Sequence, residues 1–124
     1  MKLFIIDDDQ LSILLTKTML ELESSISDIT TFLSADDALE ALNTSIDSDI
    51  PDTILLDINM PGMDGWDFLD SFSPLENKLN KVCKVYILTS SLDSADAEKS
   101  KAYPQVVGFL HKPITSEAIT IIES

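Results

Sequence analysis

Arginine is absent from these 124 residues, and all eight basic side chains are lysine. Against 22 carboxylates they leave a formal net charge of −14 at pH 7. A nucleic-acid backbone is repelled by such a field, and no guanidinium is present to read a base edge, so no nucleic-acid partner is expected. Cations, or partners with a basic face, are favoured instead, although solubility alone explains most of the acidic surplus. Cysteine is nearly missing too. Cys83 stands alone in the apolar run Val82-Cys83-Lys84-Val85-Tyr86-Ile87-Leu88, where it reads as a buried structural thiol, and a chain without a possible internal disulfide suits a reducing compartment. Three glycines leave little material for a glycine-rich phosphate loop. No apolar run approaches the length of a membrane span, and residues 3–6 are too few for a signal-peptide core. The expectation is a cytoplasmic protein with no membrane attachment.

What is present is globular. With 44% hydrophobic and 24% charged residues, a 13.7 kDa chain has the material for one domain, 1–124, that buries roughly two thirds of its unfolded surface without help from disulfide or metal. Short apolar runs alternate with segments of helical period. Strands are expected at 3–6, 29–33, 53–56, 82–88 and 106–110. Between them, Leu11, Leu14, Leu15, Met19 and Leu22 fall on one face of a helix, and Ala38, Leu39, Ala41 and Leu42 follow a capping pair, Ser34 and Asp37. Asp64 is placed to cap a third helix through Trp66, Phe68 and Leu69. Residues 73–81, with Pro74 inside, read as a loop, 94–101 as a polar helix, and 116–122 as a last helix capped by Thr115. Strand and helix repeated five times imply right-handed crossovers and a parallel sheet covered on both faces.

In open parallel sheets, ligands bind beyond the carboxyl ends of the strands. Asp7, Asp8 and Asp9 follow the first strand, Asp57 ends the third with Asn59 two residues on, Thr89 and Ser90 follow the fourth, and His111 and Lys112 the fifth. Asp9 is the natural N-cap of the first helix, which leaves Asp7 and Asp8 for other work. His111 reads as an exposed neighbour of Lys112, and Trp66 as a packing residue. Clustered carboxylates repel one another unless a cation joins them, and an all-oxygen donor set selects a hard ion such as Mg²⁺. A carboxylate nucleophile could then take phosphorus as an acyl phosphate, with the metal, Lys112 and the Thr89 hydroxyl covering the three phosphoryl oxygens. The set is complete for receiving a phosphoryl group on Asp57.

Four stretches carry a family resemblance: Phe4-Ile5-Ile6-Asp7-Asp8-Asp9, Ile54-Leu55-Leu56-Asp57-Ile58-Asn59-Met60-Pro61-Gly62-Met63-Asp64-Gly65, Ile87-Leu88-Thr89-Ser90-Ser91 and Gly108-Phe109-Leu110-His111-Lys112-Pro113. Over nearly its whole length the chain resembles a response-regulator receiver domain of the chemotaxis type, most like the stand-alone ones. The resemblance implies an α/β, flavodoxin-like, doubly wound (βα)₅ fold with strand order 2-1-3-4-5. It implies Asp57 as phosphoacceptor, Asp8 as a direct Mg²⁺ ligand, Asp7 acting through water, and the Asn59 backbone carbonyl on the metal, with Mn²⁺ or Ca²⁺ as possible substitutes. Thr89 would contact the phosphoryl group and move, Lys112 would pair with it ahead of a cis Lys112-Pro113 bond, and Phe109 would be the aromatic switch. A phenyl ring has no hydroxyl, so a switch here rests on burial. The implied partners are a histidine kinase or histidine phosphotransfer protein and a downstream protein target, with the chain itself a monomer or weak dimer. The expected role is a phosphoacceptor switch and not an enzyme.

Rival readings remain at this point. A haloacid-dehalogenase-like Mg²⁺-dependent phosphatase also places Asp-x-Asp after its first strand, here Asp7 and Asp9, but Gln10 stands where that motif wants glycine and no acidic pair follows Lys112. A degenerate receiver that only binds partners would not need the full acidic set. A flavodoxin-type electron carrier would need a Ser/Thr/Gly-rich loop after the first strand, where this chain has aspartates.

Overall fold

The computed structural model describes residues 1–44, 50–76, 82–90 and 93–124. Five strands, β1 (Lys2–Ile6), β2 (Asp28–Phe32), β3 (Thr53–Asp57), β4 (Lys84–Thr89) and β5 (Val106–His111), form one parallel sheet in the order β2-β1-β3-β4-β5. The helices are α1 (Gln10–Glu23), α2 (Ala35–Thr44), α3 (Gly65–Glu76), α4 (Ser94–Lys99) and α5 (Ser116–Glu123), with a 3₁₀ turn at Ser100–Ala102 after α4. The expected alternation, strand order and two-sided cover are those observed.

Central strands covered on both faces have no solvent side to supply, so they read as unbroken apolar runs. Every residue of β3 is buried. Side chains leave a strand on alternate faces, which splits the core in two. Phe4, Ile6, Ile54, Leu56, Val85 and Ile87 meet α2 and α3 on one face. Leu3, Ile5, Leu55, Tyr86 and Leu88 meet α1 and α5 on the other. Caps fix where the helices start. The Asp9 carboxylate accepts from the Leu11 N–H at 2.9 Å, the Ser34 hydroxyl from Asp37 at 3.2 Å, the Asp64 carboxylate from Asp67 at 2.9 Å, and the Thr115 hydroxyl from Ala118 at 3.1 Å.

Two helices depart from the sequence reading. In α1 the leucine-rich face is the exposed one: Leu11, Leu14, Leu15 and Leu22 are 62, 59, 49 and 76% exposed, while Ile13, Thr16 and Leu20 on the opposite side enter the core. Both faces of α1 are apolar, so periodicity identified a helix without saying which side it buries. In α3 the helix runs through Pro74 to Glu76, where a loop was expected from 73. Proline removes one intrahelical hydrogen bond, here in the last turn on the solvent side. Phe72 is fully buried and Leu75 packs against the same core, which holds the helix together across the gap. The rest of the expected 73–81 loop, residues 77–81, lies outside the described residues, as does Ser91.

The turn after β3 depends on two glycines. Gly62 has φ +75°, a conformation that side chains with a Cβ rarely adopt. Gly65 opens α3 pressed against the chain just below the strand end, where a Cβ would stand 2.7 Å from the Ile58 Cα and 2.9 Å from the Asp57 carbonyl oxygen. Backbone cannot yield as a flexible side chain can. Gly65→Ala is therefore expected to destabilise the fold by about 1–3 kcal/mol, the usual range for overpacking. Chemical denaturation measures it, and a midpoint equal to the wild type's would show that the turn has room.

Candidate functional site

Asp7, Asp57, Thr89 and Lys112 stand at the carboxyl ends of β1, β3, β4 and β5, so the sheet itself sets their spacing. Asp7 is completely buried and Asp57 is 5% exposed, whereas Asp8 faces solvent. One carboxylate oxygen from each of Asp7, Asp8 and Asp57 lies within 4.8 Å of the others. The Lys112 ammonium reaches in from the far side, donating to Asp7 Oδ2 at 2.7 Å and to Asp57 Oδ2 at 3.1 Å. The second oxygens of both carboxylates are also held. Asp7 Oδ1 accepts from the Asp9 N–H at 3.0 Å, and Asp57 Oδ1 from the Asn59 N–H at 2.9 Å.

The two buried carboxylates titrate in opposite directions. Burial pushes Asp7 up, but the hydrogen bonds from Lys112, the Asp9 amide and the Ser12 hydroxyl together outweigh it and hold Asp7 below the usual aspartate range. For Asp57 burial prevails. The Asn59 amide and the nearby Lys112 charge pull downward, the Asp7 charge adds to burial, and the net direction is up. Burial also works against the Lys112 ammonium, but the Asp7 hydrogen bond and both carboxylate charges more than restore it, so Lys112 stays charged at neutral pH. Burial thus dominates at Asp57, while the donors around Asp7 hold it ionised. Three convergent carboxylate oxygens, with no nitrogen or sulfur donor among them, suit a hard divalent cation, which this cluster is able to coordinate.

The remaining expected residues sit around this centre. Thr89 is buried at the end of β4, and its carbonyl accepts from the Lys112 N–H at 2.9 Å, tying the ends of β4 and β5 together. Asn59 is exposed directly after the Asp57 turn. Phe109 is half-buried on β5, packed against the core face that holds α2 and α3. Lys112-Pro113 is cis. His111 and Ser90 are exposed, Trp66 is core, and the Cys83 thiol is buried and donates to the Pro51 carbonyl at 3.1 Å. Sequence reasoning missed Ser12, whose hydroxyl supports Asp7. The signal was its place three residues past the cap Asp9, in the helical turn nearest the cluster. It also missed an open groove of about 300 Å³ beside the site, where Leu11, Leu15 and Thr16 of α1 face Lys112 and Pro113.

Comparison with known proteins agrees with this geometry. The family model described as response regulator receiver domain matches residues 3–122. Among curated proteins no sequence matches the chain. Among solved structures, a two-component response regulator from Cytophaga hutchinsonii is 31% identical with a TM-score of 0.85, covering 98% of this chain and 92% of its own. A response regulator receiver protein from Dyadobacter fermentans (25% identity, TM-score 0.85) and a two-component response regulator from Legionella pneumophila (25%, 0.84) each cover 98% of this chain and 94% of their own. The buried carboxylates, the ammonium between them and the strand order that assembles them have one common explanation: the chain belongs to the response regulator receiver domain family, whose members serve as phosphoacceptor switches in two-component signalling rather than as turnover enzymes.

Proposed function

We propose that Asp57 accepts a phosphoryl group from a phosphohistidine in a Mg²⁺-dependent step and that the resulting aspartyl phosphate switches a protein-contact face. The observation that carries this reading is the Asp57 carboxylate, buried, raised in basicity, and flanked by Lys112 at 3.1 Å and by the Asp7 and Asp8 oxygens. An Asp57 oxygen attacks phosphorus as the N–P bond of the donor breaks, and the freed imidazole keeps the electron pair and takes a proton. Asp7, Asp8, Asp57 and the Asn59 carbonyl would hold the metal, which neutralises charge on the phosphoryl group. Lys112 covers a second phosphoryl oxygen, and Thr89 is drawn toward the third. The movement of Thr89 opens space for the Phe109 ring, whose half-buried position leaves it free to turn inward. Phosphorylation shifts the two states only by its differential contacts, typically a few kcal/mol.

The donor is read as a helical histidine domain, on a histidine kinase or a phosphotransfer protein, that seats on α1. Leu11, Leu15 and Leu22 are spaced as one seam of a helix–helix contact, and the groove below them ends at Lys112 and Pro113, beside the acceptor. A second copy is a poor occupant, because two chains of charge −14 repel each other, which also favours a monomer; a partner with a basic rim is drawn in. A cytoplasmic location fits the lone buried thiol, and among the described residues no helix is long and apolar enough to cross a membrane.

Three outcomes test this reading. Millimolar Mg²⁺ should raise the melting temperature of the unmodified protein, since a ligand at a hundred times its Kd adds about 2.7 kcal/mol, and Asp8→Asn should blunt that response. A melting curve indifferent to Mg²⁺ speaks against the metal site. Incubation with acetyl phosphate and Mg²⁺ should add one phosphoryl mass to the wild type and none to Asp57→Asn; labelling of the variant would move the acceptor elsewhere. Finally, Leu15→Asp should slow transfer from the cognate histidine domain by about tenfold or more, the scale of a central interface residue, while labelling by acetyl phosphate stays within about twofold. Equal loss with both donors would mean that α1 is not the docking face.

A further inference from the structure

The single tryptophan, Trp66, occupies a junction between the acceptor turn and the far side of the molecule. On one side it follows Gly65, whose N–H donates to the Ile58 carbonyl at 3.2 Å and whose Cα is pressed against the Asp57–Ile58 peptide. The start of α3 therefore cannot move independently of the residue that carries the Asp57 carboxylate. On the other side the ring of Trp66, a residue only 6% exposed, packs against Tyr103 in a tilted pair with centroids 5.4 Å apart and planes 31° apart. The Tyr103 hydroxyl donates to Asp70 Oδ1 at 2.6 Å. Trp66 and Asp70 are four residues apart on α3, so they share a face, and Tyr103 is gripped by its ring and by its hydroxyl at once. The Lys99 ammonium lies 5.4 Å from the Trp66 ring centroid, within cation–π range.

Both gripped residues belong to one short stretch. Lys99 ends α4, and Tyr103 closes the 3₁₀ turn that follows it. No side chain of α4 is buried, and none belongs to either core cluster. Apolar burial, which fixes the place of α2, α3 and α5, is not what fixes α4. Its N-terminus is capped locally by Asp93, whose carboxylate accepts from the Asp96 N–H at 2.8 Å. The phenol proton is held firmly, for the Asp70 hydrogen bond, helped by burial, pushes Tyr103 up to about 12.

We propose that Trp66, Tyr103 and Asp70 form a clasp that positions α4 and its 3₁₀ turn, and that this clasp relays displacement of the Asp57 turn to α4. The relay rests on the acceptor reading above, but it adds a route distinct from Thr89 and Phe109. Thr89 would act on α4 from the chain leading into it, and the clasp acts on the end leading out. The residues involved are positioning residues; none of them touches the phosphoryl group.

The test compares wild type with Tyr103→Leu, Tyr103→Phe and Asp70→Asn by amide hydrogen exchange over 94–102, with Trp66 emission and intact mass recorded on the same samples. In the unmodified proteins, Tyr103→Leu should speed exchange over 94–102 by about tenfold or more, the lower bound expected when a hydrogen bond to a charged group and a ring contact are lost together. Tyr103→Phe, which keeps the ring, should show a smaller increase. Asp70→Asn, which still offers a carbonyl oxygen to the phenol, should stay near the wild type. After acetyl phosphate and Mg²⁺, wild type should change both its Trp66 emission and its exchange over 94–102. Tyr103→Leu should gain the same mass and change its emission, yet its exchange over 94–102 should respond less than the wild type's, since only the Thr89 route remains. Wild-type exchange in unmodified Tyr103→Leu overturns the clasp, and an equal exchange response in both phosphorylated proteins, or an unchanged wild-type emission, overturns the relay. Failure of the wild type to gain mass overturns the acceptor reading and the relay with it, is recognised from the mass alone, and leaves the comparison of unmodified proteins to decide the clasp.

Discussion

One ammonium is shared by two buried carboxylates, and the geometry of the whole strand-end rim answers to that constraint. Lys112 arrives from β5, Asp7 from β1 and Asp57 from β3, so the contact is made only if the strands are in this order and register. The Thr89 carbonyl fixes the Lys112 backbone, and the Asp9 and Asn59 amides fix the two carboxylates. Such an arrangement is a poor source of stability. Removing charges from water costs several kcal/mol per ion, and mutual attraction repays that only with good geometry. With Asp8 included, three carboxylates face one ammonium, and the imbalance is two negative charges. A divalent cation cancels that imbalance. The site is thus strained toward binding such an ion, and the two large apolar clusters on either side of the sheet supply the stability that the rim does not.

The same constraint explains which parts of the molecule could be read from the sequence. Strand ends are visible because buried parallel strands are unbroken apolar runs, and a charged residue closing such a run has few structural reasons to be there. Asp7 and Asp57 stand out at strand ends for that reason, Thr89 and Lys112 gain meaning only from the aspartates opposite, and Asp9 caps α1 as expected. Partnership was less legible. Nothing in the spacing says that Ser12 turns its hydroxyl to Asp7, or that Gly65 is required by contact with the Asp57 carbonyl, because both facts arise from the angle at which a helix leaves the sheet.

The two apolar faces of α1 are more instructive. Periodicity detects that apolar residues line up, and Leu11, Leu14, Leu15 and Leu22 do line up. The core, however, took Ile13, Thr16 and Leu20, and Ile13 and Leu20 join Ala118, Ile119 and Ile122 of α5 in one cluster. An amphipathic pattern is a statement about two media, and a partner protein is a second apolar medium. A helix with apolar residues on both sides has one face that the core of this chain leaves uncovered, and the docking proposed above would cover it. Pro74 is a milder case. A local rule about proline gave way because Phe72 and Leu75 hold the last turn to the core.

A switch must also contain something that can move for little energy, and the least stable elements of a fold are the ones with few buried contacts. α4 is the element of this description. It is short and polar, contributes nothing to either core cluster, and lies between the chain that leaves Thr89 and the stretch that Trp66 and Tyr103 hold. Were α4 packed by large apolar side chains like α3 and α5, a few kcal/mol of phosphoryl contacts could not displace it, since one fully buried Leu, Ile or Phe is worth about 1.5–3 kcal/mol. Held instead by a ring contact, one hydrogen bond and a cation over a ring, it sits within the energy that the acceptor site is able to deliver. The polar sequence of 94–99 leaves this helix without an apolar anchor, which is what the proposed relay requires of it.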